Sequence, residues 1–357
     1  MNEPLTPEAD AEMRWFVGIS FIKDDDLVAA AAALSDSAEK GRALGLDELA
    51  ARCDLALARG VHIPSGRYDE GLACAERAFA FYENMPDWGN AADCLLSVAI
   101  AHEYTGKLSM AEADYIAAYR AAERCGSIEK TVFVDRLHGN FLRKTDQLDE
   151  SEAILNRGLA AGRSLESFEH EADFELELGL TYELQGRMPE ASTAYGRARN
   201  GFEARGESES IADCDLNLGN VFYAAKAQAN EADELVNAAE ESYLRARATY
   251  DRLGFTYKRA LTTRNLARVY RETNRLTSAA SLYREARTDF EQINAQEDIA
   301  DCDRNLGTTL LMSGELDAGE ELVVRARDSF HAMQLADKVD GCEKLLAIVA
   351  RQRTGNL

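Results

Sequence analysis

Asn217, Asn265 and Asn305 recur at spacings of 48 and 40 residues, with Asn220, Tyr223, Arg264, Arg268, Arg271 and Arg304 close to them in the chain. A side-chain amide offers both a donor and an acceptor. A guanidinium meets a carboxylate through two parallel hydrogen bonds. These residue types can hold a ligand, but in this pattern they cannot make or break a bond. The groups that could are scattered. His62, His102, His138, His170 and His331 share no spacing, and His170-Glu171 lacks a second histidine four residues after the first. No GxSxG, Walker A, HExxH or GxGxxG stretch occurs. The seven cysteines form no CxxC pair, so neither a zinc site nor a disulfide scaffold is expected. The expectation is a protein with no catalytic residues, no metal and no cofactor.

The charge narrows the partners. The chain has 357 residues and a net charge of −23. Nucleic-acid affinity comes mainly from neutralising phosphates with Lys and Arg, and anionic lipid also attracts basic segments. Neither partner is expected, and no run of 18 apolar residues suggests a membrane span. The acidic stretch from Met1 to Asp10 lacks the layout of a signal peptide, so a cytoplasmic location is expected. Only five prolines occur, and after Gly89 Pro189 is alone. Proline disrupts helix interiors, so the chain can be helical nearly throughout.

The elements that position these residues are repeats. Cys53 and Cys94 are 41 residues apart, and Cys302 and Cys342 are 40 apart. Ala212-Asp213-Cys214-Asp215-Leu216-Asn217-Leu218-Gly219 returns as Ala300-Asp301-Cys302-Asp303-Arg304-Asn305-Leu306-Gly307. Self-similarity at a fixed period marks a stacked array. Units start at Glu8, Glu48, Gly89, Glu129, Glu169, Glu209, Tyr257 and Glu297, and a half-unit from Asp337 to Leu357 closes the chain as a capping helix. Each unit reads as two helices. A small residue recurs at Gly18, Ala58, Ala99, Gly139, Gly179, Gly219, Ala267 and Gly307, where two helices cross closely. A second column carries Tyr115, Leu155, Tyr195, Tyr243, Tyr283 and Val323. The repeated cysteines, replaced elsewhere by Met, Val, Phe and Thr, read as core residues. Cys74 and Cys125 fall outside that register and are expected to be more exposed. His138 stands where other units carry Leu and reads as a partly buried packing residue. Asp and Glu are read as a solvated face. The unit from Glu209 holds eight extra residues near Ala224 to Leu235, either a lengthened helix or a protruding loop.

Leu-Gly-x-x-Tyr, a glycine turn, then Ala-x-x-x-Tyr-x-x-Ala resembles the tetratricopeptide repeat (TPR) from Glu8 onward. The 40-residue unit is longer than the common 34 and is similar to the repeats of kinesin light chain and of bacterial regulatory proteins. The resemblance implies an all-α, right-handed superhelical TPR solenoid of antiparallel helix pairs, one domain spanning 1–357. It also implies that one stripe of the first helices lines a concave face. That stripe and its neighbour carry Asn217, Asn220 and Tyr223, then Arg264, Asn265, Arg268 and Arg271, then Arg304 and Asn305. Tyr257 to Gln296 hold eight basic and four acidic residues, a local excess of positive charge in an acidic protein. At the position of the ladder, earlier units carry Ala56, Ser97, Leu137 and Glu177, a more apolar or acidic lining. The expected function is a non-catalytic protein- or peptide-binding scaffold whose concave groove takes an extended acidic segment. The alternative is a signal- or peptide-responsive regulator of a separately encoded effector. The competing reading of the asparagines is that they bridge neighbouring helices. The sequence leaves the oligomeric state open.

Overall fold

The computed structural model describes residues 5–165, 170–226 and 232–354, without the side chains of Gln352 and Thr354. Among the described residues there are helices and turns and no strand. Seventeen α-helices follow in order: α1 Pro7–Lys23, α2 Leu27–Ala43, α3 Asp47–Leu57, α4 Tyr68–Tyr82, α5 Trp88–Tyr104, α6 Leu108–Cys125, α7 Ile128–Lys144, α8 Leu148–Gly162, α9 Glu171–Leu184, α10 Met188–Arg205, α11 Ser208–Ala225, α12 Ala232–Leu253, α13 Thr256–Glu272, α14 Leu276–Gln292, α15 Gln296–Ser313, α16 Leu316–Ala332 and α17 Ala336–Thr354. Helices α1 to α8 pack each on the next, and so do α10 to α17. This is the TPR fold, an array of antiparallel helix pairs. The contacts divide the chain into two compact units, residues 1–177 and 178–357.

The column of small residues is explained by the column of large ones. A Cβ on Gly139 would sit 2.6 Å from Leu155, on Gly179 2.6 Å from Tyr195, and on Gly219 2.6 Å from Tyr243. Each of these large side chains is fully buried, so it has no room to retreat. The turn inside a repeat requires a left-handed residue. Gly106, Gly186 and Gly314 supply it, and Asp146 and Asn274 take the same conformation in their own repeats. Short polar side chains are the usual substitutes for glycine there.

The 41-residue spacing has a local cause. Residues Ala58–His62 form a turn of π-helix continuing α3. A wider turn absorbs one extra residue without breaking the helix, and the register returns to the common one at Cys94. The larger irregularity is partly visible. Helix α12 has 22 residues, and it begins four positions earlier in the repeat than α16 does. Some of the extra residues therefore lengthen the second helix. Residues 227–231 of that insertion lie outside the described residues, as does Glu169 at the start of a unit.

The cores bury the recurrent cysteines: Cys53, Cys94, Cys214, Cys302 and Cys342 are wholly inaccessible. Burial pushes the thiols of Cys94, Cys214 and Cys302 up to about 12, so they stay protonated and apolar. Cys125 is exposed as expected, but Cys74 is buried against Leu72 and Ala75. Helix α17 closes the second unit, with Cys342 packed on Val323, Ala326 and Phe330.

Acidic residues are not only a solvated face. The residue after the cysteine position is a buried carboxylate in several repeats: Asp54, Asp135, Glu175, Asp215 and Asp303. Arginines from second helices reach each one. Asp54 meets Arg42 at 2.5 Å and Arg77 at 2.7 Å. Asp135 meets Arg157 at 2.5 Å. Asp215 meets Arg199 at 3.1 Å and Arg245 at 2.9 Å. Asp303 meets Arg287 and Arg325, both at 2.7 Å. A carboxylate has enough lone pairs for two guanidinium groups, so Asp54, Asp215 and Asp303 each clip two second helices together, while Asp135 holds one. The 40-residue recurrence of Asp after Cys was visible in the sequence. Its arginine partners, on other helices at variable separations, were not.

Candidate functional site

Helices α11, α13 and α15 are the first helices of three successive repeats in the second unit, and they carry all nine residues of the expected ladder. Residues three and four apart share a helix face, so Asn217, Asn220 and Tyr223 follow one another along α11. Arg264, Asn265, Arg268 and Arg271 do the same on α13, and Arg304 and Asn305 on α15.

The amides do not all face a ligand. Asn265 Nδ2 donates to Asn220 Oδ1 at 3.1 Å, and Tyr243 Oη donates to the same oxygen at 2.9 Å. Asn305 donates to the Asp301 carbonyl at 2.8 Å and accepts from Arg271 Nη1 at 3.1 Å. Asn265 and Asn305 thus bridge helices or their own turn. Asn217 is half-buried and its side chain makes no hydrogen bond to the described residues.

The arginines separate in the same way. Arg264 is spent on Asp298 at 2.5 Å and Arg304 on Asp301 at 2.9 Å. Both acids lie in the acidic eighth repeat. Asp213 and Asp301 are also taken up by lysines of the following repeat, Lys258 and Lys338, at 2.7 and 2.6 Å. Among the described residues, no carboxylate lies within salt-bridge reach of Arg268 or Arg271. The Arg268 guanidinium lies over the Tyr223 ring at 4.0 Å, and its Nε is buried without a hydrogen-bond partner. Arg271 lies 6.0 Å above the Tyr283 ring.

Three residues outside the expected ladder complete this cluster. Lys226 stacks on Tyr223 at 3.5 Å. Lys226 Nζ and Tyr223 Oη both donate to Glu272, an acid at the edge of the patch. Burial, together with Arg268 and Arg271, holds the Lys226 ammonium below its ordinary range, which marks a crowded positive field. Tyr283 is fully buried, and its hydroxyl has no partner. Burial pushes that phenol above its ordinary value, while Arg271 and Arg268 pull it back. Sequence reasoning placed Tyr283 in the packing column and did not ask what its hydroxyl met. The signal lay nine residues after the cysteine position, where Glu103 and Glu183 become Arg271.

The first unit pairs much of its own stripe, although Arg136 lies over the Phe133 ring at 5.6 Å with its Nε buried and without a partner. Asp93 holds Arg59 and Lys130, both at 2.7 Å. Glu103 takes Tyr115 Oη at 2.7 Å and Lys144 at 2.9 Å. Glu177 takes Asn140 at 2.8 Å and Arg143 at 3.1 Å. His102 Nδ1 lies 2.7 Å from Asp114, and His138 is buried in the core. Among the described residues no group of three or more metal-binding side chains gathers, and no helix is long and apolar enough to cross a membrane.

No family model matches the chain, and no curated protein matches it in sequence. Solved structures do match in fold. A STAND signal-transduction ATPase with a TPR sensor, from Pyrococcus horikoshii, superposes with a TM-score of 0.74 at 13% identity, over 94% of this chain and 50% of that one. The apo quorum sensor NprR from B. thuringiensis gives 0.57 at 11% identity, covering 97% of this chain and 100% of that one. A Rap protein solved with the competence and sporulation factor gives 0.54 at 13%, over 98% and 100%. At such identities the likeness is one of fold.

Proposed function

We propose that this chain is a non-catalytic TPR scaffold that binds an extended protein or peptide segment along the first helices of its second unit. The observation that carries this reading is the pair Arg268 and Arg271, half-buried guanidinium groups without a carboxylate in a protein of net charge −23. Other arginines, such as Arg52 and Arg136, also lack an acid among the described residues, but Arg268 and Arg271 stand three residues apart on one helix face and so offer paired donors to an outside acid. Asn217 adds an unengaged amide on the neighbouring helix, able to pair with a peptide backbone. The recognised segment is acidic, and its site lies in a groove lined by α11, α13 and α15 within a single array.

The second reading is a peptide-responsive regulator acting on a separate effector in the cytoplasm. It is favoured by the fold neighbours, among which are a quorum sensor and a protein solved with a named signalling factor. The two readings share one site and differ in what binding does.

Panning a library of extended peptides against the full chain and against an Asn217→Ala/Arg268→Glu variant tests the shared claim. Acidic sequences are expected to enrich on the first and vanish on the second. Enrichment of the same sequences on both proteins removes the site from the second unit. Compaction of the chain on peptide addition, followed by small-angle scattering, selects the regulator over the scaffold.

A further inference from the structure

The array has a recurring internal contact that the seventh repeat breaks. In the third repeat Tyr115 Oη donates to Glu103 at 2.7 Å, and in the fifth Tyr195 Oη donates to Glu183 at 2.7 Å. In the sixth, Tyr243 Oη donates to an amide oxygen, Asn220 Oδ1. Each of these three tyrosines therefore meets an acceptor on the first helix of its own repeat, whereas the hydroxyl of Tyr82 in the second repeat is buried without one. In the seventh repeat the position of Glu103 and Glu183 is Arg271. Tyr283 Oη is buried with no acceptor, and Arg268 Nε beside it is buried with none. Buried donors are normally satisfied. Among the described residues the acceptors here are neutral and none serves Tyr283: Asn305 Oδ1 takes Arg271, and Arg268 reaches the Tyr243 hydroxyl. The acid next in sequence, Glu272, is engaged by Tyr223 and Lys226.

We propose that Arg268, Arg271 and Tyr283 form a subsite for one carboxylate, and that the bound peptide supplies in trans the acceptor that glutamate supplies in cis in the third and fifth repeats. The inference rests on the peptide-binding reading for the source of the carboxylate, and on the donor geometry for its chemistry. Arg271 is held by a neutral amide oxygen, Asn305 Oδ1. Exchange for a carboxylate is favourable because charge-assisted hydrogen bonds are the stronger kind. The positive field from Lys226, Arg268 and Arg271 also selects an anion over a neutral amide. A carboxylate fits better than a larger anion, because the glutamates it replaces fill the same place in the other repeats.

The test uses the full chain and three variants: Arg271→Glu, which restores the internal acceptor; Arg268→Gln; and Tyr283→Phe, which removes only a hydroxyl and keeps the packing. Sodium acetate is compared with sodium chloride and inorganic phosphate at equal ionic strength, reading thermal midpoints. The peptides acetyl-(Gly-Glu)4-amide and acetyl-(Gly-Gln)4-amide are compared by calorimetry. Acetate is expected to raise the wild-type midpoint by about 1 °C or more and to leave the Arg271→Glu midpoint unmoved. The Glu peptide is expected to bind about tenfold tighter than the Gln peptide, and each variant narrows that gap. An acetate response absent from the wild type, or kept by Arg271→Glu and Tyr283→Phe, overturns the subsite. If the two peptides still bind equally well in that case, the peptide-binding reading survives without it. An acetate response lost in the variants, with neither peptide bound, keeps the carboxylate site and overturns the peptide as its source. A larger response to phosphate than to acetate overturns the assignment to a carboxylate.

Discussion

The third and fifth repeats close on themselves, and the seventh does not. In the first two a buried tyrosine meets a glutamate. In the seventh the glutamate is an arginine, Tyr283 has no acceptor, and the second-helix clip is also rearranged. Thr263 stands where other repeats bury an acid, and Glu285 stands where they place an arginine. Thr263 satisfies itself on the Arg259 carbonyl at 2.8 Å, and Glu285 is reached by Arg247 at 2.5 Å. The second-helix side was thus re-paired after its charges moved, whereas the Arg268–Arg271 patch was left open. Unpaired polar groups cost stability, and the seventh repeat carries that cost at Tyr283.

The largest expected effect separates clip from patch. Asp303→Ala removes the acceptor of both Arg287 and Arg325 and is expected to cost about 2–3 kcal/mol in urea unfolding, in line with lost charge-assisted bonds at a buried site. Arg268→Gln is expected to cost at most about 0.5 kcal/mol, as a substitution away from paired groups does. Equal costs erase the distinction between structural and open arginines.

A smaller effect tests the tyrosine column directly. Tyr195→Phe strands a half-buried Glu183 and is expected to destabilise by about 1 kcal/mol. Tyr283→Phe loses no hydrogen bond and is expected to be neutral or slightly stabilising, because an orphaned hydroxyl is replaced by an apolar edge. A loss at Tyr283 equal to that at Tyr195 reveals an internal acceptor and breaks the comparison.

The effect that vanishes at neutral pH concerns His138 in the first unit. Its ring stacks on Tyr115 at 5.3 Å, its Nε2 is unpartnered, and burial, with Arg157 adding to it, pushes its pKa down to about 4. The folded state therefore resists a proton that the unfolded chain accepts near 6.5. Full stability holds above 6.5, declines as pH falls from 6.5 to 4, and levels below that. His138→Leu, the residue other repeats carry there, is expected to flatten that limb. An unchanged acid limb in the variant assigns the pH dependence to the carboxylates instead.

Much of the architecture was legible because repeat packing is local. A glycine opposite a tyrosine, an alanine three residues on and a left-handed turn recur at fixed offsets, and each states a steric need that its neighbour fulfils. The 40-residue period, the helix pairs and the buried cysteines follow from that arithmetic. The stripe of Asn217, Arg268 and Asn305 was legible for the same reason, as a set of positions on one helix face. Which of those positions stay open was not. Arg264 and Arg304 look like Arg268 in the sequence, and only the approach of Asp298 and Asp301 removes them. Asn265 looks like Asn217 until Asn220 comes within 3.1 Å. Side-chain pairing across repeats depends on distances of a few tenths of an ångström between residues about 40 apart in the chain, and no period encodes them. The sequence by itself determined the helices, their stacking and the face they share. Only the tertiary structure decided that a tyrosine counted as packing lacks an acceptor, because satisfaction is a property of what surrounds a group and not of the group.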